Sequence, residues 1–327
     1  MRAFDYVRAA RIDDAIAALA DPDTRCLAGG TNLLDLMKGY VEQPARLVDI
    51  TRLPLADVQL LPDGGMRIGA LAPNSDLAND RNVRERYPLL SQALVSGASP
   101  QLRNMATVGG NLLQRTRCHY FTDVAFDACN KRRPGSGCAA REGPNRIHAI
   151  LGASEQCIAV HPSDMCVALA ALDGVVETRS RSGVRRIPMS EFHRLPGTTP
   201  ERDTELRHDE LIVAVTLPPS PFAAHSRYLK VRDRASYEFA LVSVAAALDL
   251  TGDRVRDARI VLGGVAHRPW RARSAEQALV GRPLDDAAVA AAAAAATEGA
   301  RPYRDNAFKV TLAQRAVARA LREAAST

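Results

Sequence analysis

The sequence predicts an α+β protein made of two units, with short strands alternating with helices and a smaller α+β unit at the end. Runs rich in β-branched residues, such as 46–50 and 211–217, are bounded by turn residues and are typical of strands. The proline-rich segment 218–221 is the clearest boundary between the units. The alanine run at 287–296 predicts a helix in the second unit, because alanine has the highest helix propensity.

The other elements follow from local pattern. In the first unit we expect an extended piece at 3–7, a helix beginning at Asp13-Asp14, and a short strand that ends in a glycine turn before the next helix. Further strands are predicted at 46–50, 66–71, 175–178, 184–187 and 211–217, and helices at 73–86, 88–98 and 165–172, the last behind Ser163. The second unit is predicted to contain strands at 226–231, 243–250 and 258–263, with helices at 274–280, 285–296 and 310–325.

Composition narrows the function classes. Hydrophobic residues make up 46% and charged residues 24% of 327, as in ordinary globular proteins. The net charge of +6 is spread over the chain, and no motif combines aromatic and basic residues as nucleic-acid-binding modules do. The first residues lack the apolar region of a signal peptide, and there is no run of about eighteen apolar residues. We therefore expect no nucleic acid partner, no leader and no membrane span.

Residues 27–34 form the first candidate site. A short strand runs into a Gly-Gly-Thr-Asn turn and then into a helix, so successive backbone N–H groups can surround a phosphate or pyrophosphate. The segment has neither the Gly-x-Gly-x-x-Gly pattern nor the Gly-Lys-Ser/Thr of a P-loop. A plain glycine turn is the alternative.

A polar stretch between Thr107 and Asp164 carries four of the six cysteines and is far longer than most connections. Cys118, Cys129, Cys138 and Cys157 include no Cys-x-x-Cys pair, which argues against a zinc ribbon or a thioredoxin motif. Four thiolates with few competing ligands suit an iron–sulfur centre or a four-thiolate zinc. Free or disulfide-bonded cysteines are the alternative. Cys26 and Cys166 lie in apolar patterns and are expected to be buried.

The residues around these cysteines suit a thiolate-ligated centre. His119 adjoins Cys118, although a solvated loop position is the simpler interpretation. Backbone amides near Gly135 and Gly137 are expected to donate to the sulfurs. Basic side chains are expected to offset the negative charge, namely Arg115, Arg117, Lys131, Arg132, Arg133, Arg141 and Arg146.

Two glycine motifs in register resemble a known family. They are Leu27-Ala28-Gly29-Gly30-Thr31-Asn32-Leu33 and the segment 101–112, which ends Thr107-Val108-Gly109-Gly110-Asn111-Leu112. With 162–164, 211–218, 230–232 and 261–266, they resemble the FAD-binding (medium) subunits of molybdenum hydroxylases, the xanthine dehydrogenase and carbon monoxide dehydrogenase family. The cysteine-containing insert looks like that of bacterial periplasmic aldehyde oxidoreductases, whose FAD subunit carries an additional [4Fe-4S] cluster.

The resemblance implies a fold. Residues 1–217 would form a two-lobed FAD-binding domain of the vanillyl-alcohol-oxidase (PCMH) type, with lobes at about 1–55 and 56–217 and the iron–sulfur insert at about 115–160. Residues 222–327 would form a small α+β C-terminal domain like that of the carbon monoxide dehydrogenase flavoprotein, with a three-stranded sheet and helices.

The resemblance also implies roles for individual residues. The first motif would surround the FAD pyrophosphate with backbone amides, through Leu27, Ala28, Gly29, Gly30, Thr31, Asn32, Leu33 and Leu34. Thr107, Gly110 and Asn111 would contact phosphate and ribityl groups, and Asp164 would hold a ribityl hydroxyl. Ile212 would approach the ring by its backbone, or simply be core. Lys230 would lie near the isoalloxazine, or be an ordinary solvated lysine.

The implied function is electron transfer, with no catalytic residue in this chain. A large subunit with the molybdenum cofactor would oxidise an aldehyde to a carboxylic acid, and a [2Fe-2S] small subunit would pass electrons to FAD here, in a heterotrimer. An external acceptor would take the electrons. A stand-alone flavoenzyme and a zinc-stapled scaffold without redox activity are the alternatives. The implied location is the periplasm, by co-export with a leader-bearing partner, and the cytoplasm is the alternative.

Overall fold

Three β-sheets organise the protein, each in a different part of the chain. The computed structural model describes residues 1–326. Its strands are β1 (Asp5–Arg8), β2 (Thr24–Leu27), β3 (Arg46–Asp49), β4 (Val58–Leu60), β5 (Met66–Gly69), β6 (Val175–Ser180), β7 (Gly183–Pro188), β8 (Leu211–Leu217), β9 (Ser226–Val231), β10 (Val242–Thr251), β11 (Arg254–Gly263) and β12 (Trp270–Arg271). Its helices are α1 (Ile12–Ala18), α2 (Leu33–Lys38), α3 (Asn74–Asn79), α4 (Arg81–Arg86), α5 (Pro88–Ser96), α6 (Pro100–Met105), α7 (Val108–Leu112), α8 (His119–Thr122), α9 (Asp164–Ala171), α10 (Met189–Phe192), α11 (Arg273–Leu279), α12 (Asp286–Ala295) and α13 (Phe308–Ala325).

The first sheet is small and parallel, with β3 between β1 and β2. Ile16 of α1 packs beneath it against Val48. The same cluster of buried side chains contains Leu211 and Val213 of β8, so the first sheet shares a core with the second. This shared core fixes the turn after β2 relative to the rest of the molecule.

The second sheet has five antiparallel strands in the order β4-β5-β8-β6-β7. The hairpin of β6 and β7 and the strand β8 agree with the sequence prediction. Helix α9 lies in the largest core and every one of its residues is buried. Ser163 caps it, because its Oγ accepts a hydrogen bond from the backbone N–H of Cys166 (3.1 Å).

The C-terminal sheet has four antiparallel strands, in the order β12-β11-β10-β9, and corrects the expected three. The additional strand β12 has two residues and pairs with Val261 and Leu262. A strand of two residues shows no alternation, so its sequence gives no signal. Helix α13 packs on β9 and β10, and the alanine run forms α12, with Ala292 fully buried.

The cysteine-rich segment between α7 and α9 contains only one short helix, α8. A small core orders it, in which Phe121 and Ile158 pack with the cysteines and with Leu36 of α2. The insert is therefore attached to the first lobe. Within residues 1–326, no helix combines the length and the apolar character needed to cross a membrane.

Candidate functional site

The turn after β2 is fixed by close contact with α6. A Cβ added to Gly29 would lie 1.7 Å from the carbonyl oxygen of Met105, so only glycine fits. Gly30 has a φ of +72°, in the left-handed region. Ala28 to Leu33 line a cavity of about 340 Å³. Leu27 and Leu34 do not line it, and their side chains instead lie against Gly30.

The second glycine motif forms a short helix, α7. Thr107 caps α7 by accepting a hydrogen bond from the backbone N–H of Gly110 (3.3 Å). The Gly109 N–H donates to the carbonyl oxygen of Ala70 (2.7 Å), which holds α7 against the end of β5. The Asn111 Oδ1 accepts from Ser163 Oγ (2.6 Å), so Asn111 connects the motif to the cap of α9.

The two motifs meet in one elongated cleft. The cavity beside residues 28–33 continues into a second one of about 280 Å³, and Thr31, Asn32 and Gly110 line both. The second cavity also contacts Asp164 and Lys230. The predicted site residues at 28–33, 107–111, 164 and 230 therefore lie along a single cleft.

Three buried polar atoms of residues that line the second cavity have no hydrogen-bond partner in the described part of the chain. They are Asn32 Nδ2, Asn74 Oδ1 and Arg117 Nε, and all three residues line the second cavity. Because buried polar groups are almost always paired, such atoms indicate a ligand with polar groups along its length. FAD has phosphates, ribityl hydroxyls and a ring with polar edges, so the residues present fit it.

Asp164 and Lys230 form a buried ion pair. Lys230 Nζ donates to Asp164 Oδ2 (2.7 Å) and to the Ser96 carbonyl oxygen (3.1 Å), and the side chains are 4% and 7% exposed. Tyr228 donates its hydroxyl to Asp164 Oδ1 (2.6 Å), and burial and then Asp164 raise the pKa of that tyrosine. Both carboxylate oxygens thus already have donors from β9. Lys230 is not the solvated lysine of the alternative interpretation.

Ile212 lies on β8, opposite Thr178. Its side chain is buried in the large core, and the residue also lines the first cavity. Ile212 is therefore a core residue that also borders the cleft, and its backbone approach to the ring stays a prediction.

The four cysteines of the insert line one small cavity. Cys118, Cys129 and Cys157 are buried and Cys138 is half-buried, and all are free thiols. Cys129 and Cys138 face each other across an isolated antiparallel bridge. The pKa of Cys138 is lowered because the Cys157 thiol donates a hydrogen bond to it, whereas burial raises the pKa of Cys118 to about 12. The insert therefore brings the four predicted ligands together.

The four thiols are not arranged beforehand as a tetrahedral zinc site in the described part of the chain. Tetrahedral ligands with a Zn–S length of about 2.3 Å have sulfurs about 3.8 Å apart. Within residues 1–326, no three of the four cysteine sulfurs lie within 4.8 Å of one another.

The groups beside the cysteines differ from those expected. His119 is exposed, and His148 instead places its Nε2 3.1 Å from Cys118 Sγ. Burial lowers the pKa of His148 to about 4, so the ring is neutral at pH 7. The Gly137 N–H donates to Asn130 Oδ1 (2.8 Å) and not to a sulfur. No local spacing connects residue 148 with residue 118, which is why the sequence did not indicate this histidine.

Most basic residues of the insert already have partners. Arg115 pairs with Glu42 and with Asp203 (2.8 Å), and Asp203 also pairs with buried Lys131. Arg141 pairs with Glu155 and Arg146 with Asp233 (2.8 Å). Arg132 donates to backbone carbonyls, among them that of Tyr120 (2.8 Å). These charges stabilise the insert. Because they are already paired, they offset the negative charge of a thiolate-ligated centre less than the sequence suggested.

A second group of buried polar side chains lies behind α9. The rings of His161 and His193 meet edge to face at 4.1 Å, and Cys166 is beside them. Burial lowers the pKa of both histidines, that of His193 to about 4. His193 has its Nε2 2.9 Å from the Leu112 carbonyl oxygen, and thereby connects the end of α7 to α10.

The sequence interpretation missed Asn74, which lines the cleft, and Tyr228, which holds Asp164. Tyr228 lies two residues before Lys230, so strand alternation alone places both side chains on the same face of β9. The position of Tyr228 beside Lys230 could therefore have been predicted from the sequence. Asn74 begins α3, and nothing in its local sequence indicates that it faces a ligand.

Comparison with known proteins agrees with this geometry. The model of the FAD binding domain in molybdopterin dehydrogenase matches residues 2–220, and that of the CO dehydrogenase flavoprotein C-terminal domain matches residues 227–324. The aldehyde oxidoreductase FAD-binding subunit PaoB of Escherichia coli (strain K12) is 50% identical over 99% of both chains. The carbon monoxide dehydrogenase medium chain of Hydrogenophaga pseudoflava is 29% identical over 98% of this chain and 96% of that one.

Solved structures show the same fold. Carbon monoxide dehydrogenase from Hydrogenophaga pseudoflava aligns with a TM-score of 0.78 at 28% identity, covering 99% of this chain and 98% of that one. Quinoline 2-oxidoreductase from Pseudomonas putida 86 aligns with a TM-score of 0.77 at 28% identity, with the same coverage. These matches bear on the flavin and the fold and do not test the cysteine cluster.

Proposed function

The chain belongs to the FAD-binding subunits of the molybdenum hydroxylase family, and from that premise we propose that it accepts the electrons of aldehyde oxidation. A partner subunit with the molybdenum cofactor converts an aldehyde and water to a carboxylic acid, two electrons and two protons. A [2Fe-2S] subunit relays the electrons to FAD in this chain, and an external acceptor removes them. The 50% identity to an aldehyde oxidoreductase subunit over the whole chain carries this proposal.

The contribution of this chain is to bind and orient the flavin, which supplies the redox chemistry when bound. The backbone of Ala28 to Leu33 forms the phosphate end of the cleft, and the short helix α7 begins beside it. The Asn32 and Asn74 amides have free polar atoms for the middle of the ligand. Asp164, held on both oxygens by β9, orients the ribityl end.

We further propose a [4Fe-4S] cluster ligated by Cys118, Cys129, Cys138 and Cys157. The cavity that all four cysteines line supports it. His148 is placed to donate a hydrogen bond to the Cys118 sulfur, which is the kind of contact that tunes a cluster's potential.

Metal and sulfide analysis tests the cluster. The purified complex is expected to contain about four irons and four sulfides per FAD beyond those of the [2Fe-2S] subunit. Cys138→Ser should lose them, whereas Cys166→Ala, which alters a buried cysteine outside the insert, should retain them. One zinc and no additional sulfide in the unaltered protein would contradict the cluster and favour a zinc-stapled loop.

The proposed assembly is a heterotrimer in the periplasm, reached by co-export with a leader-bearing partner. The relatives' names support the assembly, since they describe subunits and medium chains. Cell fractionation of the tagged chain, with and without the partner genes, tests the location. A chain that stays in the cytoplasm in the presence of its partners would contradict it, and a lone chain that turns over aldehyde would contradict the subunit role.

A further inference from the structure

Lys230 is not the free cation of the flavin cleft. Its ammonium group is neutralised by Asp164 at 2.7 Å and also donates to the Ser96 carbonyl oxygen. Because the pair is buried and the Asp164 carboxylate has no other cation beside it in the described chain, the two charges are held together strongly. Lys230 therefore positions Asp164, and its charge is not available to a ligand.

Arg117 lines the same cavity and has no such partner. Among residues 1–326, no hydrogen bond or ion pair to Arg117 is present, and its Nε is buried and unpartnered. The guanidinium lies over the ring of Phe239, 4.9 Å from its centroid, which fixes its plane. A buried guanidinium N–H without an acceptor costs free energy, so we expect a ligand to supply that acceptor.

The other cations of the cavity are occupied. Arg103 donates to the carbonyl oxygen of Gly97 (2.8 Å), and Arg234 donates to that of Ser236 (3.1 Å) and lies 3.5 Å from Glu238. The carboxylate with the largest effect on Arg117 is Asp35, which is exposed and makes no ion pair with it. Among the cations that line this cavity in the described chain, Arg117 is thus the one whose side chain has neither a hydrogen bond nor an ion pair.

Arg117 lies in the cavity that contains Asp164, and of the glycine turn only Thr31 and Asn32 reach that cavity. It lines the second cavity and is absent from the lining of the first. We propose that Arg117, and not Lys230, is the positioning cation that faces the flavin ring and stabilises the negative charge the ring gains on reduction. This inference rests on the proposed function. Two electrons from aldehyde oxidation and one proton enter the ring, which keeps one negative charge, and the second proton goes to solvent.

The midpoint potential of bound FAD in the copurified complex tests the proposal, measured by dithionite titration against a reference dye. Arg117→Met should favour the oxidised form by about tenfold at a fixed potential, which for a two-electron couple is about 30 mV. Arg117→Lys keeps the charge and should shift the ratio far less. Arg315→Met removes an exposed arginine on α13 and should leave it unchanged.

The possible outcomes distinguish a failure of the proposed function from a failure of the role of Arg117. An unaltered complex without FAD would contradict the proposed function itself. If the Arg117→Met complex contains FAD and has the potential of the unaltered complex, only the role of Arg117 is overturned. Weaker FAD binding without a change in potential would overturn it too, because that result indicates that Arg117 contacts a phosphate. Iron content is measured in each variant because Cys118 is adjacent, and Arg117→Gln replaces Arg117→Met if that variant lacks iron or FAD.

Discussion

Gly29 shows how a single residue holds the cleft open. Its constraint is steric, because an added Cβ would overlap the Met105 carbonyl oxygen. Gly29→Ala should move the turn away from α6 at a cost of about 1–3 kcal/mol, weakening FAD binding by about tenfold or more. Fluorescence titration with FAD measures this. Gly39→Ala is the matched control, since its nearest atoms are 3.6 Å away, and equal losses in both variants would contradict the steric account.

The buried His193 makes the stability of the protein depend on pH. Its pKa is lowered to about 4 by burial, against which the contact with Leu112 and the charge of Asp203 raise it. In the unfolded chain the histidine has a pKa of about 6.5, so below that pH it binds a proton there but stays neutral in the native state. The unfolding free energy therefore falls as the pH drops from about 6.5 to about 4. This histidine alone should remove about 2 kcal/mol of unfolding free energy between pH 7 and pH 5.

Urea unfolding at pH 7 and pH 5 measures that dependence. His193→Asn keeps a side-chain amide that can donate to the Leu112 carbonyl oxygen but does not titrate. Its loss of stability between the two pH values should be smaller than that of the unaltered protein, whose remaining dependence comes from other groups such as His161 and His267. Identical losses would show that His193 is not buried as the structure has it.

At the scale of elements, Lys309 attaches α13 to the insert. Its ammonium is fully buried and donates to the carbonyl oxygens of His148 (2.9 Å) and Gly264 (2.5 Å). Lys309→Met leaves these carbonyls without a donor and should cost about 2–4 kcal/mol of unfolding free energy. Thermal and urea unfolding measure the change. Lys38→Met, at an exposed lysine, should change stability by less than about 0.5 kcal/mol.

The elements that the sequence predicted well are those with strong local signals. The strand β8, the hairpin of β6 and β7, and the Ser163 cap of α9 all follow from patterning and capping chemistry. Helix α7 was not among the predicted helices. Its two glycines are poor helix formers, yet Thr107 and the contact with Ala70 stabilise it. The strand β12 has too few residues to show a pattern.

The candidate site also combines features that local sequence predicts with contacts that it does not. Glycine turns and cysteine counts are local, so the phosphate end and the four thiols were recognisable. The pairing of Lys230 with Asp164 and the approach of His148 to Cys118 join residues 66 and 30 positions apart. Such contacts depend on how β9 packs on α9 and how the insert folds back, which local sequence does not specify.

On the scale of the whole molecule, the three sheets enclose one cleft, and the insert lies beside it. The first sheet supplies the phosphate turn, α7 and α9 supply the middle, and β9 of the C-terminal sheet holds Asp164. The cysteine cavity shares Cys118 with the segment that carries Arg117, so the two candidate cofactor sites are adjacent in sequence. This arrangement suits a subunit that receives electrons and has no substrate chemistry of its own.

The reduction of FAD by aldehyde tests that account most directly. Benzaldehyde is added anaerobically to the copurified complex and, separately, to this chain carrying FAD alone, while the visible flavin absorbance is followed; dithionite then gives full reduction in both. We predict that benzaldehyde bleaches the flavin in the complex and leaves the isolated chain oxidised. Bleaching of the isolated chain at the rate of the complex, or aldehyde oxidation by the complex with its flavin still oxidised, would contradict it.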